Sequence, residues 1–450
     1  MVGELEVPSS MIGPQDREHT TPINFLGLYT VLVVYGLAYA YFYSDQLTPL
    51  VHDSLTAFDF SKTRVYTAIA FLTPLAILPI GTRLRSPGQF IAAALTVFLF
   101  VPIPIVFAAM VGEPQFWSVY SQLWLGYLAF CTLSALSVKV SLPTVSERKF
   151  NAGVLVFCVV IGMAMLYVAA TNRFSIVSLA DAHAERGSAT VAGLQGYLVT
   201  GYVTSYGGLI VAVALMYRKY WVLPLALLGF VICYGTLEVR SSILMPAWIA
   251  YFYLAQKWFF RNSVTKLVLT LVAPFFVGML AIDIIGTSER TSLAYLAFSL
   301  TNYRLYSVPA IGFNAYFIFF ATHPFTHWSH INIIGSFVSN PYGQPLGAVM
   351  EDAYRQGSYN ASFLETDALA AAGVAALPFI SLVFGLILLA INSCMRGLNV
   401  ALLAVIMAGS AIALIDTGIG PGLLSNGLAI LSVLMLFVPR TAAWNLRHLA

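Results

Sequence analysis

Apolar runs long enough to cross a hydrocarbon core of roughly 30 Å recur along this chain from residue 24 to residue 438, and nothing constrains its fold more. Inside hydrocarbon every backbone N–H and C=O must find its partner within the protein, which leaves helices or a closed barrel. The runs are continuous and do not alternate every second residue, so helices are expected and a barrel is not. Composition agrees: the 450 residues are 59% hydrophobic and 9% charged, with mean hydropathy +0.83. Those are values of a polytopic membrane protein and not of a soluble enzyme.

The spans read as 24–43, 64–80, 90–109, 118–137, 152–170, 195–217, 221–236, 240–256, 264–285, 364–391, 397–415 and 421–438. The expected fold is thus an all-α polytopic integral membrane protein of about 12 transmembrane helices, one membrane domain over residues 1–450. Nine helices precede a long polar connection at 286–363, and three follow it over 364–438. The first 23 residues lack a basic region followed by a short apolar core and a small-residue cleavage site, so the first helix is expected to be retained as an anchor. With the N-terminus inside, 14 of the 22 basic residues fall in cytoplasmic turns and tails, among them Arg83, Arg85, Lys257, Arg261, Lys266, Arg396 and Arg440. Both termini are then cytoplasmic, and the 286–363 connection faces the outside or periplasm.

The net charge of +3 says little about partners, because in a membrane protein its distribution matters more than its sum. The bilayer is the expected surroundings and nucleic acid is not an expected partner. Cys131, Cys158, Cys233 and Cys394 lie in or beside apolar runs without C-x-x-C spacing and read as small core residues.

Polar chemistry concentrates between Thr322 and Asp367, where His323, His327 and His330 accompany Asn332, Asn340, Glu351, Asp352, Arg355, Tyr359, Asn360, Glu365 and Asp367. The spacing H-x3-H-x2-H would put three imidazoles on one helical face, but Pro324 follows the first and no acid occurs from His323 to Asn332. Hydrogen bonding or proton transfer is the better expectation, with no metal and no cofactor. Ahead of this stretch, Arg290 and Arg304 flank an aromatic-rich segment that Asn302, Pro309 and Asn314 interrupt. It is expected to be amphipathic or re-entrant at the outer surface. Glu238 and Arg240 open the eighth span, where a charged pair is costly unless it is paired or reached by water. Arg186 sits in the outer connection SLADAHAERG, against the positive-inside trend. Brought together in one cavity, Arg186, Arg240, Arg290, Arg304 and Arg355 would suit a phosphate or pyrophosphate.

The chain resembles the Wzy-type oligosaccharide repeat-unit polymerases, which lengthen O-antigen and related bacterial polysaccharides. The likeness covers LPIGTRLRSPGQF before VPIPIVF, LADAHAERG, YGTLEVRSSILMP, FFATHPFTHWSH followed by GSYNASFLETDALAAAG, and LLSNGLAILSVLML. It departs at Arg240, which stands in the apparent lysine place of a G-x-K-S-like sequence, and LADAHAERG lacks a tyrosine that many relatives carry. The resemblance implies a C-type glycosyltransferase fold in the bacterial inner membrane, acting on undecaprenyl-pyrophosphate-linked glycans on the periplasmic side. A chain-length regulator and a flippase are its implied partners. It implies that Arg290, Arg304 and Arg240, then Arg186 and Arg355, stabilise the pyrophosphate leaving group, and that His323 or His327 takes the acceptor proton. Glu238, His330, Asn332, Tyr359, Asn360 and Asp367 fall to substrate binding. A ligase sharing the same donor, or a transporter of a lipid-linked glycan, is the alternative.

Overall fold

The computed structural model describes residues 22–48, 62–140, 145–172, 174–176, 193–237, 240–285, 295, 298–354 and 363–440. In chain order the elements are α1 (Asn24–Leu47), α2 (Thr63–Ile80), α3 (Pro87–Met110), α4 (Glu113–Ser134), α5 (Arg148–Thr171), α6 (Gly193–Met216), α7 (Tyr220–Thr236) and α8 (Arg240–Ala255). They continue with α9 (Val264–Ile284), α10 (Val308–Phe320), α11 (Leu346–Tyr354), α12 (Phe363–Ala372), α13 (Val374–Cys394), α14 (Val400–Ile415) and α15 (Ile419–Phe437). Among the described residues there is no sheet, only one isolated bridge between Arg83 and Ser263.

Eight of these helices, α1, α2, α3, α5, α6, α9, α13 and α15, are long and apolar enough to cross a membrane. The candidate spans 221–236 and 397–415 form the shorter apolar helices α7 and α14. Span 118–137 falls on α4, which has 22 residues but is diluted by Gln115, Gln122, Trp117, Trp124 and several serines. Span 364–391 is not one helix. It breaks at Gly373, whose φ of +74° suits glycine, and the ten-residue α12 before the break is about 15 Å long, half of what a crossing needs.

At the centre stands α3, every residue of its apolar window buried, as expected for a helix that is apolar all round. Its middle turn, Thr96–Phe100, is π-helical, and the Val101 N–H reaches back to Thr96 O. Residue 102 is proline and has no N–H to offer, so Val97 O loses its backbone donor. The Tyr35 hydroxyl from α1 donates to that carbonyl at 2.7 Å.

The turn before α3 is locked at the end of the bundle that also carries Arg83, Arg261, Arg396 and Arg440, hereafter the basic end. Ser86 and Gln89 form a capping box over Pro87, and the bridge Arg83–Ser263 ties the turn to the start of α9. Asn392 of α13 accepts from Gly88 N at 2.8 Å and donates to Ser134 O and Leu136 O at 2.7 and 2.8 Å. A Cβ on Gly88 would stand 2.6 Å from Ser134 O and 2.7 Å from both Asn392 side-chain polar atoms. Gly88→Val is therefore expected to wedge α3 away from α4 and α13 and cost about 1–3 kcal/mol, read as a lowered thermal unfolding midpoint in detergent.

Candidate functional site

Two segments enter the bundle from the end opposite the basic one and turn back without crossing. The first follows α9. Asn302 is fully buried and donates to Phe275 O at 2.9 Å, and the Tyr306 hydroxyl donates to Leu271 O at 2.6 Å. Phe275 lies ten residues from Ile285, about 15 Å down the helix. A side chain on Gly278 would overlap Asn302, so the glycine is what lets this segment approach α9 so closely. The Tyr39 hydroxyl donates to Tyr306 O at 3.0 Å where the chain reverses, and α10 climbs back with Phe313 and Phe317 edge-on to Phe107 of α3. The segment expected to lie at the outer surface is instead buried from Pro309 to Tyr316. The side-chain amides of Asn302 and Asn314 donate to Phe275 O and Val106 O within the bundle, which lets the segment stay buried.

The second segment is α12, whose first turn holds a fully buried Glu365. The group facing it is the Tyr127 hydroxyl, midway along α4, and neither carboxyl oxygen completes a hydrogen bond of ordinary geometry. An acid without a completed hydrogen bond is costly to bury. At the other end of α12, Thr326 N and His327 N donate to the terminal carbonyls of Ala370 and Ala371 at 2.8 and 3.1 Å, capping the half-helix.

Between the two segments runs the short stretch from Asp416 to Ile419, which joins α14 to α15. Arg304 Nη2 is 3.6 Å from Asp416 Oδ2, with the side chains 43% and 32% exposed, although Asn302 and Tyr306 on either side are fully buried. Two residues on, Gly418 packs against the Asp367 carboxylate, and Ile419 N donates to Asp367 Oδ2 at 2.6 Å. Asp367 thus supplies a carboxylate to the N-terminus of α15. Its other oxygen lies 3.4 Å from His330 Nε2, with both side chains 7% exposed. The Thr326 hydroxyl donates to Ala370 O at 3.0 Å, which leaves its lone pairs for His330 Nδ1–H at 2.7 Å. That arrangement puts a proton on Nδ1 and turns Nε2 toward Asp367.

Of the residues expected at a site, Arg304, His330 and Asp367 are therefore joined through the stretch from Asp416 to Ile419. His323 and His327 are not part of this junction. His323 stacks on Phe319 at 3.9 Å with Nδ1 2.9 Å from Phe319 O, and His327 is exposed with φ of +49°. The H-x3-H-x2-H spacing does not gather its imidazoles, and among the described residues no group of three His, Cys, Asp or Glu is placed to hold a metal ion. Arg186, Glu238, Arg290, Arg355, Tyr359 and Asn360 lie outside the described residues, as do the side chains of Arg240 and Asn332. Tyr202 and Tyr206 belong to a packing stripe: the Tyr202 hydroxyl donates to Ala226 O at 2.8 Å.

Asp416, Thr326 and Tyr127 are missing from the residues expected at the site, and Glu365 is expected only as part of the polar stretch. Asp416 carries the clearest overlooked signal, an acid closing a 16-residue apolar run just ahead of the glycine-rich GIGPG. The chain matches no family model, no characterised protein and no solved structure.

If Asp367 and His330 act as one unit, His330→Gln and Asp367→Asn should each lower the unfolding midpoint, and the double variant should lose less than their sum. The expected coupling is about 0.5–3 kcal/mol in a double-mutant cycle. Additive losses would mean that the two side chains act independently.

Proposed function

We propose that this protein is a metal-independent glycosyltransferase of a bacterial inner membrane, lengthening polysaccharide from polyprenyl-pyrophosphate-linked repeat units on the periplasmic side. The observation that carries the reading is Arg304. It is a half-exposed guanidinium held by Asp416 on a segment that dips into an otherwise apolar bundle. A cation kept at such a place suits a charged group delivered at the membrane surface, and a guanidinium grips phosphate oxygens through several charge-assisted bonds.

In the reaction proposed, the hydroxyl of an incoming lipid-linked repeat attacks the anomeric carbon of the growing chain. The new glycosidic bond forms as the bond from that carbon to the pyrophosphate oxygen breaks. The pyrophosphate leaves with the electron pair, and its added charge is met by Arg304, with Arg290 and Arg240 as the next candidates. The acceptor proton passes to a base, for which His323 and His327 are the candidates on the exposed face. Asp367 and His330 are positioning residues in this scheme, because they hold the stretch that presents Asp416 to Arg304.

A transporter of a lipid-linked anion is the second reading, favoured by the discontinuous α12–α13 and by the buried Glu365, since broken helices and buried acids are recurrent parts of transporters. Reconstitution with a polyprenyl-pyrophosphate-linked oligosaccharide separates the two. The polymerase reading predicts a ladder of lengthened glycans, reduced at least about 100-fold in rate by Arg304→Ala. Movement of unchanged substrate across the bilayer, with no ladder, would decide for transport.

A further inference from the structure

We propose that a groove between α1, α8 and α9 binds an acyl chain of an anionic phospholipid, whose headgroup is held by the cations of the turn between α8 and α9. The groove encloses about 750 Å³ and is lined by Val31 and Val34 of α1, by Ala255 and Phe259 at the end of α8, and by Ala273 and Val277 of α9, among others. Its polar neighbours ask for no ligand. The Tyr251 hydroxyl donates to Thr270 O at 2.7 Å, and the Thr270 hydroxyl donates to Lys266 O at 2.9 Å. Apart from Thr30, what remains facing the groove is hydrocarbon.

Length and charge choose the occupant. Along α9 the lining runs from Leu269 to Val277, eight residues or about 12 Å, close to one leaflet of a roughly 30 Å core and far short of a partner helix. At the end toward the α8–α9 turn, Lys266 Nζ lies 5.7 Å from the centroid of Phe259, a residue of the groove wall. Lys257 and Arg261 flank the same turn, and no acid occurs anywhere from Arg240 to Lys266. The turn bearing Arg83 and Arg85 lies alongside, since Leu84 N donates to Asn262 O and Val264 N to Thr82 O. Trp258 and Phe259, 69% and 46% exposed, fit the level of lipid headgroups. An apolar slot one leaflet deep, closed by clustered cations and interfacial aromatics, matches an anionic headgroup above an acyl chain. The cations that would hold the headgroup sit at the α8–α9 turn, whereas the segment bearing Arg304 meets α9 further along, at Leu271 and Phe275.

The test uses the purified full-length protein in detergent with phosphatidylglycerol, phosphatidylcholine or inorganic phosphate added, read by native mass spectrometry and by the thermal midpoint. Phosphatidylglycerol should be retained and should raise the midpoint, while phosphatidylcholine and phosphate should do neither. Lys257→Gln with Lys266→Gln, both exposed, should lower phosphatidylglycerol retention about tenfold. Ala273→Trp should lower it with all charges in place. Equal retention of the two lipids, undiminished retention by the glutamine variant, or a midpoint shift from phosphate alone would overturn the proposal.

Discussion

Backbone groups inside hydrocarbon have to be hydrogen-bonded within the protein, and at the interruptions of this bundle side chains from neighbouring segments supply the bonds. Tyr35 serves Val97 O where α3 is π-helical ahead of Pro102. Tyr39 does the same for the first re-entrant segment, at Tyr306 O, and Thr326 for the end of α12. Without these donors the interruptions would leave carbonyls unpaired in an apolar medium, at several kcal/mol apiece. With them, the chain brings polar residues into the bundle from one end and closes the other end with the Gly88–Asn392 junction.

That asymmetry makes the site. A continuous transmembrane helix can present a charge inside the bilayer only on one flank, whereas a segment that enters and turns back can place Arg304 beside the end of α14 and Asp367 beside the start of α15. The stretch from Asp416 to Ile419 is held from both sides, by a cation on one re-entrant segment and an anion on the other. Asp367 in turn faces His330, whose Nε2 lies 3.4 Å from its carboxylate, and the threonine that caps α12 holds His330. In the proposed reaction these buried groups hold the stretch that presents Asp416 to Arg304.

The helical class was legible in the sequence because long continuous apolar runs admit little else, and the central place of α3 follows from its being apolar on every side. For residues 299–320 a re-entrant path was one of two expectations, but their burial was not legible, since Asn302, Pro309 and Asn314 look like reasons to avoid hydrocarbon. Only their partners on α9 and α3 show how a buried segment can hold them. The break inside 364–391 was likewise hidden, because Gly373 is flanked directly by apolar residues, ALAAA before it and VAAL after it. At the site, Arg304, His330 and Asp367 stood out as charges in an apolar chain. Thr326 did not, since its role depends on a contact 44 residues away. The histidine spacing suggested a shared helical face, but His327 and Trp328 both have positive φ, so no helix carries the three.

Arg304, half-exposed, lies on a segment that enters from the end opposite the basic turns. The most direct test places a single cysteine at Arg304 or at Arg261, with the four native cysteines replaced by serine, and labels sealed, oriented vesicles with a membrane-impermeant maleimide. The two positions should be labelled from opposite faces of the membrane. Labelling of both from one face, or no labelling of position 304 from either, would contradict that placement.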